Sequence, residues 1–257
     1  MDFVVIIPAR YASTRFPGKP LADLDGRPIV VRVADRAQKS GAREVLVATD
    51  HPSIAEAVRD YGYTAVMTRR SHASGTDRVA EVVTRRRFPA QRIIVNVQGD
   101  EPLIEPLLIR KVAEDLARHR AAQIATACTP IRDSGDFANP NIVKVVLDNQ
   151  RRALYFSRAP IPHVRDARLE SRATVPEMPR GLPAYRHLGI YAYRCGFLRR
   201  FARLKPAAIE RCEALEQLRA LAHGFGISVV ITRRATHPGI DTPQDLERAR
   251  ARLRRKR

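Results

Sequence analysis

Three basic side chains lie close together just after the first apolar run of the chain. The sequence FVVIIPARYASTRFPGKPL begins as a buried strand and then carries Arg10, Arg15 and Lys19 among proline and glycine residues, with Arg27 a little later. A loop at the carboxyl end of a parallel strand is where α/β proteins bind ligands. Gly18 lets the backbone turn tightly, and cations with exposed amides suit a triphosphate. The segment therefore predicts an anion-binding loop, with a solvated basic loop as the alternative.

A second segment, VQGDEP, has residue types that hold a metal ion. The apolar run RIIVNV breaks at Gly99 and delivers Asp100 and Glu101 onto a loop. Mg²⁺ takes only one or two carboxylates when phosphates fill its other positions. Asp100 is the expected ligand, because Gly99 frees the backbone there. Glu101 has the alternative role of a negative charge at the start of the following helix.

Several other polar residues are open to two interpretations. Asp241, in PGIDTPQDLE, could hold a metal or simply belong to a helix-cap segment. Glu216 and Gln217, in EALEQLR, could face solvent from a helix, and His187 could be an ordinary core or surface histidine. Arg158 ends the apolar run ALYFSR, and a charge at a strand end needs water or a partner.

The polar residues described above lie among alternating strand-like and helix-like segments. Apolar spacing predicts helices in PIVVRVADRAQKSG, PSIAEAVRDYG, TDRVAEVVTRRRF and EPLLIRKVAEDLARHR, the third capped by Thr76 or Asp77. Strand-like runs stand between them. This βαβα rhythm predicts an α/β fold with a mixed, mainly parallel sheet flanked by helices.

The pattern changes in the second half of the chain. QIATACTPI, NIVKVVLD, ALYFSR and HLGIYAYR read as antiparallel strands, and residues 165–184 read as an exposed loop. A long helix is expected through AIERCEALEQLRALAHG, then the strand ISVVITR and a last helix that Thr242 caps. We predict a single domain over residues 1–257, with an embedded β-rich lobe over residues 151–194.

Composition narrows the class of protein. The 257 residues carry a formal net charge of +19, but the basic residues are spread along the chain, aromatics make up 6% and tryptophan is absent. Nucleic acid is therefore not expected as a partner. No apolar run approaches a membrane span. Cys128, Cys195 and Cys212 are far apart without metal-site spacing, which favours a reduced cytoplasmic chain with buried thiols.

The motifs taken together resemble a known family. Residues 3–21, ATDHPSIAEAV, SHASGTDRVAEVV, VNVQGDEP, ALYFSRAPIP, RHLGIYAYR, LEQLR and GIDTPQDLERAR are similar, in the same order, to the 3-deoxy-manno-octulosonate (Kdo) cytidylyltransferases. The resemblance implies a nucleotide-diphospho-sugar transferase-like fold. It implies transfer of CMP from CTP to the 2-hydroxyl of Kdo, for lipopolysaccharide core biosynthesis, by a Mg²⁺-dependent cytoplasmic homodimer.

The resemblance also implies roles for individual residues. Arg10, Arg15 and Lys19 would hold the CTP phosphates, and Ala73, Ser74 and Gly75 would read the cytosine. Asp100 and Asp241 would hold Mg²⁺ and, with Lys19 and Arg10, form the catalytic set. The sugar-acid pocket would comprise Gln98, Arg158, His187, Tyr191, Glu216 and Gln217, with Arg78 nearby, and the lobe over 151–194 would supply part of this pocket and the dimer contacts. Alternatives are a cytidylyltransferase for 8-amino-Kdo or sialic acid and, more remotely, a basic nucleic-acid-binding protein.

Overall fold

A mixed nine-stranded sheet forms the centre of the molecule. The structure is a computed structural model that describes residues 1–12, 15–163, 165, 181–233 and 239–254. The strands are β1 (Phe3–Ala9), β2 (Glu44–Thr49), β3 (Thr64–Met67), β4 (Ile93–Asn96), β5 (Ile124–Pro130), β6 (Lys144–Leu147), β7 (Ala153–Ser157), β8 (Tyr185–Arg194) and β9 (Ile227–Ile231). The α-helices are α1 (Ile29–Gln38), α2 (Pro52–Asp60), α3 (Gly75–Arg85), α4 (Pro106–Arg118), α5 (Ser134–Ala138), α6 (Cys195–Phe201), α7 (Ala208–Glu213), α8 (Gln217–Ala222) and α9 (Pro243–Arg254).

The strand order is β3-β2-β1-β4-β8-β5-β9. The first four of these strands are parallel to one another, β8 is antiparallel to both of its neighbours, and β9 is parallel to β5. β6 pairs antiparallel with β7 and with the start of β8. The predicted mixed, mainly parallel sheet is therefore confirmed.

Helices cover both faces of the sheet because alternate side chains of each strand point to opposite faces. On β1, the side chains of Phe3, Val5 and Ile7 pack in a buried cluster with α1, α2 and α4. Val4 and Ile6 pack in a second cluster with α3, α6 and α8. This burial on both faces explains why β1 is a continuous apolar run.

The prediction of one long helix through AIERCEALEQLRALAHG is wrong. Two short helices, α7 and α8, replace it, because Ala214 adopts a left-handed conformation (φ 51°) and ends α7. Neither glycine nor proline marks this break in the sequence. The break places Glu216 immediately before α8 instead of in the middle of a helix.

Two smaller expectations also need correction. Ser74, and neither Thr76 nor Asp77, caps α3: its hydroxyl accepts from the Asp77 amide at 3.1 Å. Cys212 is exposed, whereas Cys128 and Cys195 are buried as expected. The expected loop over 165–184 lies mostly outside the described residues.

None of the helices in the described ranges combines the length and apolar character needed to cross a membrane.

Candidate active site

The loop after β1 forms one wall of a cavity of about 340 Å³. Arg10, Arg15 and Lys19 all line it. Gly18 has a φ of 68°, which glycine adopts without strain, and it precedes the short 3₁₀ turn Lys19–Leu21. Arg27 is not among the lining residues; its guanidinium donates to the two Asp35 carboxylate oxygens at 3.1 and 3.0 Å. Three of the four basic side chains predicted at this end of β1 therefore face the cavity.

Close packing of two loops brings Asp100 to the same cavity. A Cβ on Gly99 would lie 2.7 Å from the carbonyl oxygen of Pro8, so the residue at this position must be glycine. Gly99 does not have a positive φ, so the backbone does not need the conformational freedom that the sequence suggested. It needs the space that a side chain at this position would fill. The loop after β4 can thus press against the end of β1, and Asp100 faces the loop after β1.

Backbone pairing places Asp241 beside Asp100. The Ile240 amide donates to the Asp100 carbonyl at 2.8 Å. The capping role at the start of α9 belongs to Thr242, whose hydroxyl accepts from the Asp245 amide at 3.2 Å. The Asp241 carboxylate therefore takes no part in this cap contact and is available to the cavity, which it lines.

Both carboxylates converge on a single ammonium group. Lys19 Nζ lies 2.8 Å from Asp100 Oδ2 and 3.2 Å from Asp241 Oδ1. Arg15 adds an ion pair to Asp241 Oδ2 at 3.2 Å. In the described part of the chain, no three acidic, histidine or cysteine side chains cluster as a metal site. Two converging carboxylates fit Mg²⁺ whose remaining ligands come from phosphates and water, because Mg²⁺ is often bound by one or two carboxylates.

The start of α3 forms another part of the cavity wall. Ala73, Ser74 and Gly75 line the cavity together with the cationic loop. A Cβ on Gly75 would lie 3.2 Å from Pro8 Cγ, which makes this another point of close approach. The structure thus brings the predicted phosphate-binding and base-reading residues to one cavity.

Arg78 lies at this end of the site and is 3% exposed. Its Nη2 donates to Asp50 Oδ2 at 2.8 Å, and its Nη1 donates to the Thr68 hydroxyl. The Tyr11 amide donates to the other oxygen of Asp50 at 3.3 Å. Arg78 therefore links α3, through Asp50, to the loop after β1.

Glu216 connects α8 to the start of α3. Its carboxylate accepts from Ser74 Oγ at 2.9 Å and from Thr76 Oγ1 at 2.5 Å. Burial raises the pKa of Glu216, although these two hydrogen bonds oppose the shift. The solvated helix face that the sequence left open is therefore not what the structure shows.

His187 and Tyr191 lie one behind the other on β8, with ring centroids 5.4 Å apart. The edge of the Phe156 ring packs against His187 at 4.9 Å. Burial lowers the pKa of His187 to about 3 and raises that of Tyr191 well above its ordinary value, so both rings are neutral at pH 7. Gln98, also predicted for the sugar acid, lines the cavity.

Arg158 is held by backbone oxygens. Its Nε donates to the Glu213 carbonyl at 2.8 Å and its Nη1 to the Pro140 carbonyl at 3.1 Å. The Glu213 carboxylate accepts from the Arg158 amide at 2.9 Å. Gln217 is 6% exposed, and its Nε2 has no hydrogen-bond partner. A buried amide donor of this kind lacks an acceptor that a ligand could supply.

The alternative role at a helix start that the sequence offered for Glu101 is not found, and the buried polar residue Thr126 was not predicted. α4 begins at Pro106, so Glu101 is not in its first turn. Burial and the neighbouring charge of Asp100 raise the pKa of Glu101 to about 8, against the opposing charge of Arg186. Thr126 lies in the apolar run QIATACTPI. Its hydroxyl group among buried residues is the only feature of the sequence that could have pointed to it.

Known proteins share this architecture. The family model described as cytidylyltransferase matches residues 4–231. A solved structure of CMP:2-keto-3-deoxy-manno-octonic acid synthetase complexed with CTP is 40% identical, with a TM-score of 0.89 over 100% of both chains.

Two more distant structures share the fold alone. A cytidylyltransferase from Leptospira borgpetersenii serovar Hardjo-bovis is 16% identical, with a TM-score of 0.62 over 99% of this chain and 87% of that one. A 4-diphosphocytidyl-2C-methyl-D-erythritol synthase from Anaerococcus prevotii is 14% identical, with a TM-score of 0.60 over 98% and 99% of the two chains.

Proposed function

The chain belongs to the cytidylyltransferase family, and from this premise we propose that it transfers CMP from CTP to the 2-hydroxyl of Kdo. The products are CMP-Kdo, for lipopolysaccharide core biosynthesis, and pyrophosphate. One observation carries the proposal: the cationic loop, both carboxylates and the start of α3 line one cavity in a chain that matches a CTP-bound Kdo-activating synthetase along its full length.

The reaction is a displacement at the α-phosphorus. The 2-hydroxyl oxygen of the sugar acid forms a bond to phosphorus, the bond to the pyrophosphate oxygen breaks, and the hydroxyl proton is released. Pyrophosphate leaves with the electron pair. No side-chain nucleophile takes part, so the rate comes from positioning and from stabilising charge on the phosphoryl oxygens.

The residues of the chain divide this work. Arg10, Arg15 and Lys19 bind the triphosphate, since their positive charges and the amides of the loop replace its water shell. Ala73, Ser74 and Gly75 admit the base, because short side chains let it lie against the backbone. Asp100 and Asp241 would hold Mg²⁺, which when bound lowers the pKa of the sugar hydroxyl and orients it.

A second group of residues holds the sugar acid. Neutral His187 and Tyr191 suit hydroxyl groups, and the unpartnered Nε2 of Gln217 supplies a donor. Arg158 suits the substrate carboxylate, because a guanidinium can bind a carboxylate through parallel hydrogen bonds.

The working form of the enzyme is a cytoplasmic homodimer, with contacts through the lobe over 151–194. Leu154, on β7 in this lobe, is 60% exposed and is one apolar side chain that such a contact would cover. Light scattering on the purified protein should give twice the mass of the 28.9 kDa chain. The monomer mass would contradict the dimer and leave the reaction unaffected.

The decisive experiment incubates the purified protein with CTP, Mg²⁺ and separate sugar acids. Kdo, 8-amino-Kdo and N-acetylneuraminic acid are compared by mass spectrometry of the product and by pyrophosphate release. CMP-Kdo should form fastest, and UTP or ATP should replace CTP poorly. Preference for another acid would support one of the related cytidylyltransferases, and absence of any CMP-sugar would refute the proposal.

A further inference from the structure

Thr126 is a buried polar residue in the middle of β5, with 0% exposure. Its Oγ1 atom lies 2.7 Å from the carbonyl oxygen of Ile190, 3.2 Å from that of Leu188 and 3.0 Å from His187 Nε2. All three neighbours belong to β8. One hydroxyl thus meets two backbone acceptors and the imidazole ring predicted to contact the sugar acid.

A bulge in β8 creates this arrangement. Thr126 pairs with Tyr191, but the next residue of β5, Ala127, pairs with Leu188. Gly189 and Ile190 are therefore extra residues on β8, opposite no residue of β5. Bulges interrupt the regular ladder of backbone hydrogen bonds and re-aim side chains, often beside active sites. The carbonyl groups of Leu188 and Ile190 turn to the Thr126 hydroxyl.

The number of protons decides which atom donates. Carbonyl oxygens only accept, and Thr126 has one hydroxyl proton. If that proton went to His187 Nε2, the hydroxyl oxygen would face the Ile190 oxygen at 2.7 Å with no proton between them. The proton therefore goes to Ile190, and the Thr126 oxygen accepts from a protonated His187 Nε2.

The ring of His187 is neutral, so protonation of Nε2 leaves Nδ1 as an acceptor. Phe156 and Tyr191 surround the ring, and the burial that they contribute to lowers the pKa of His187 to about 3. Nε2 is already committed to Thr126. Any hydrogen bond from His187 to a ligand must then use Nδ1 and must have the ligand as donor.

We propose that Thr126 is a positioning residue that holds His187 in its Nε2–H tautomer, so that Nδ1 accepts a hydrogen bond from a hydroxyl group of the sugar-acid substrate. The part that concerns the substrate rests on the proposed function, whereas the tautomer is a property of the free protein. Thr126 thereby contributes to selection of a substrate that presents a donor at this point.

The first test measures the tautomer without substrate. Long-range ¹H–¹⁵N spectra of the ¹⁵N-histidine-labelled protein distinguish protonated from unprotonated ring nitrogens, and His187→Gln identifies the His187 signals. The wild type and Thr126→Ser should show Nε2 protonated and Nδ1 unprotonated, whereas Thr126→Val should show a mixture or the other tautomer. Protonated Nδ1 in the wild type, or an unchanged spectrum in Thr126→Val, would overturn the proposal whether or not the protein uses Kdo.

The second test separates the two substrates kinetically. Thr126→Val should raise the KM for the sugar acid about three- to tenfold, the effect of one weakened neutral hydrogen bond. The KM for CTP should stay within about twofold, and Thr126→Ser should restore the wild-type values. Thr84→Val is the matched control, since that hydroxyl donates to the Ala80 carbonyl at 2.7 Å and does not line the cavity. Equal increases in KM for both substrates would indicate a purely structural role and overturn the proposal. If Thr126→Val does not fold, the spectra of the wild type and of Thr126→Ser still decide it.

Discussion

The ammonium group of Lys19 lies 2.8 Å from Asp100 Oδ2, although 81 positions separate the two residues in the sequence. This contact joins the loop after β1 to the loop after β4. The Lys19 side chain is 13% exposed and that of Asp100 is 30% exposed, so neither is a freely solvated surface charge. The pair marks the point where cationic and anionic groups of the site meet.

Lys19→Ala should therefore impair use of CTP strongly. Loss of a charge-assisted contact to phosphate costs about 1.5–3 kcal/mol, or roughly one to two orders of magnitude in kcat/KM for CTP. Steady-state kinetics with varied CTP measure it, and thermal melting checks the fold. The matched control is Arg27→Ala, which removes a nearby positive charge that pairs with Asp35 outside the cavity. Equal activity of the two variants would show that Lys19 does not bind the phosphates of CTP.

The sequence predicted most of the framework that carries this site. Buried strands such as β1 and helices such as α1 follow from apolar periodicity, and the position of a cationic loop after a parallel strand follows from the fold class. The pairing of Arg27 with Asp35, outside the cavity, could not be predicted from the sequence. A basic residue pairs with whichever carboxylate the tertiary structure brings near.

Other features depend on contacts that no local pattern encodes. Ala214 breaks a segment of good helix formers, and the break orients Glu216 toward Ser74. Thr126 reads as one polar residue in a strand, and its partners exist only because β8 bulges beside it. The sequence correctly predicted that glycine matters at position 99, but for a different reason. The constraint is the close approach of the Pro8 carbonyl oxygen.

Gly99→Ala should destabilise the protein and disturb the site. A methyl group 2.7 Å from the Pro8 carbonyl forces the loops after β1 and β4 apart. Overpacking of this kind typically costs about 1–3 kcal/mol in the free energy of unfolding, measured by urea denaturation. Gly226→Ala is the control, because nothing lies within 4 Å of a Cβ at that position, and its effect should stay within about 0.5 kcal/mol. Equal stabilities of the two variants would show that the loops can separate without cost.

The stability contributed by the cap of α9 should depend on pH. Although partial burial raises its pKa, hydrogen bonds from Arg248, Thr242 and the amides of Asp241 and Thr242 lower the pKa of Asp245 to about 2. Because the folded-state pKa lies below the unfolded value of 3.8, this stabilisation is complete above that value and is lost as the pH falls toward 2.

Asp245→Asn should reduce the free energy of unfolding at pH 7 by about 1 kcal/mol, as expected for a weakened cap. Unfolding curves of the wild type and this variant, measured between pH 7 and pH 2.5, should converge as the pH falls. Glu247→Gln is the control, because that side chain is 68% exposed and lies on the same helix. A constant difference across the pH range would show that ionisation of Asp245 does not carry the effect.

Asp100 and Asp241 should act as one unit in turnover. Both carboxylates contact the same Lys19 ammonium group, and the Asp100 carbonyl accepts from the amide next to Asp241. Asp100→Asn and Asp241→Asn should each lower kcat by about 100-fold, since charge stabilisation by a metal contributes several kcal/mol to the transition state. The double variant should be little worse than either single one, because residues that act as a unit are not additive.

Two measurements make this interpretation specific. Calorimetric titration should show that CTP still binds the single variants, since Arg10, Arg15 and Lys19 are unchanged, and removal of Mg²⁺ with a chelator should abolish turnover of the wild type. Asp23→Asn removes a carboxylate that is 61% exposed and should leave kcat unchanged. Additive losses in the double variant, or near-normal turnover of Asp241→Asn, would contradict a shared metal and leave Asp241 as an ion-pair partner of Lys19 and Arg15.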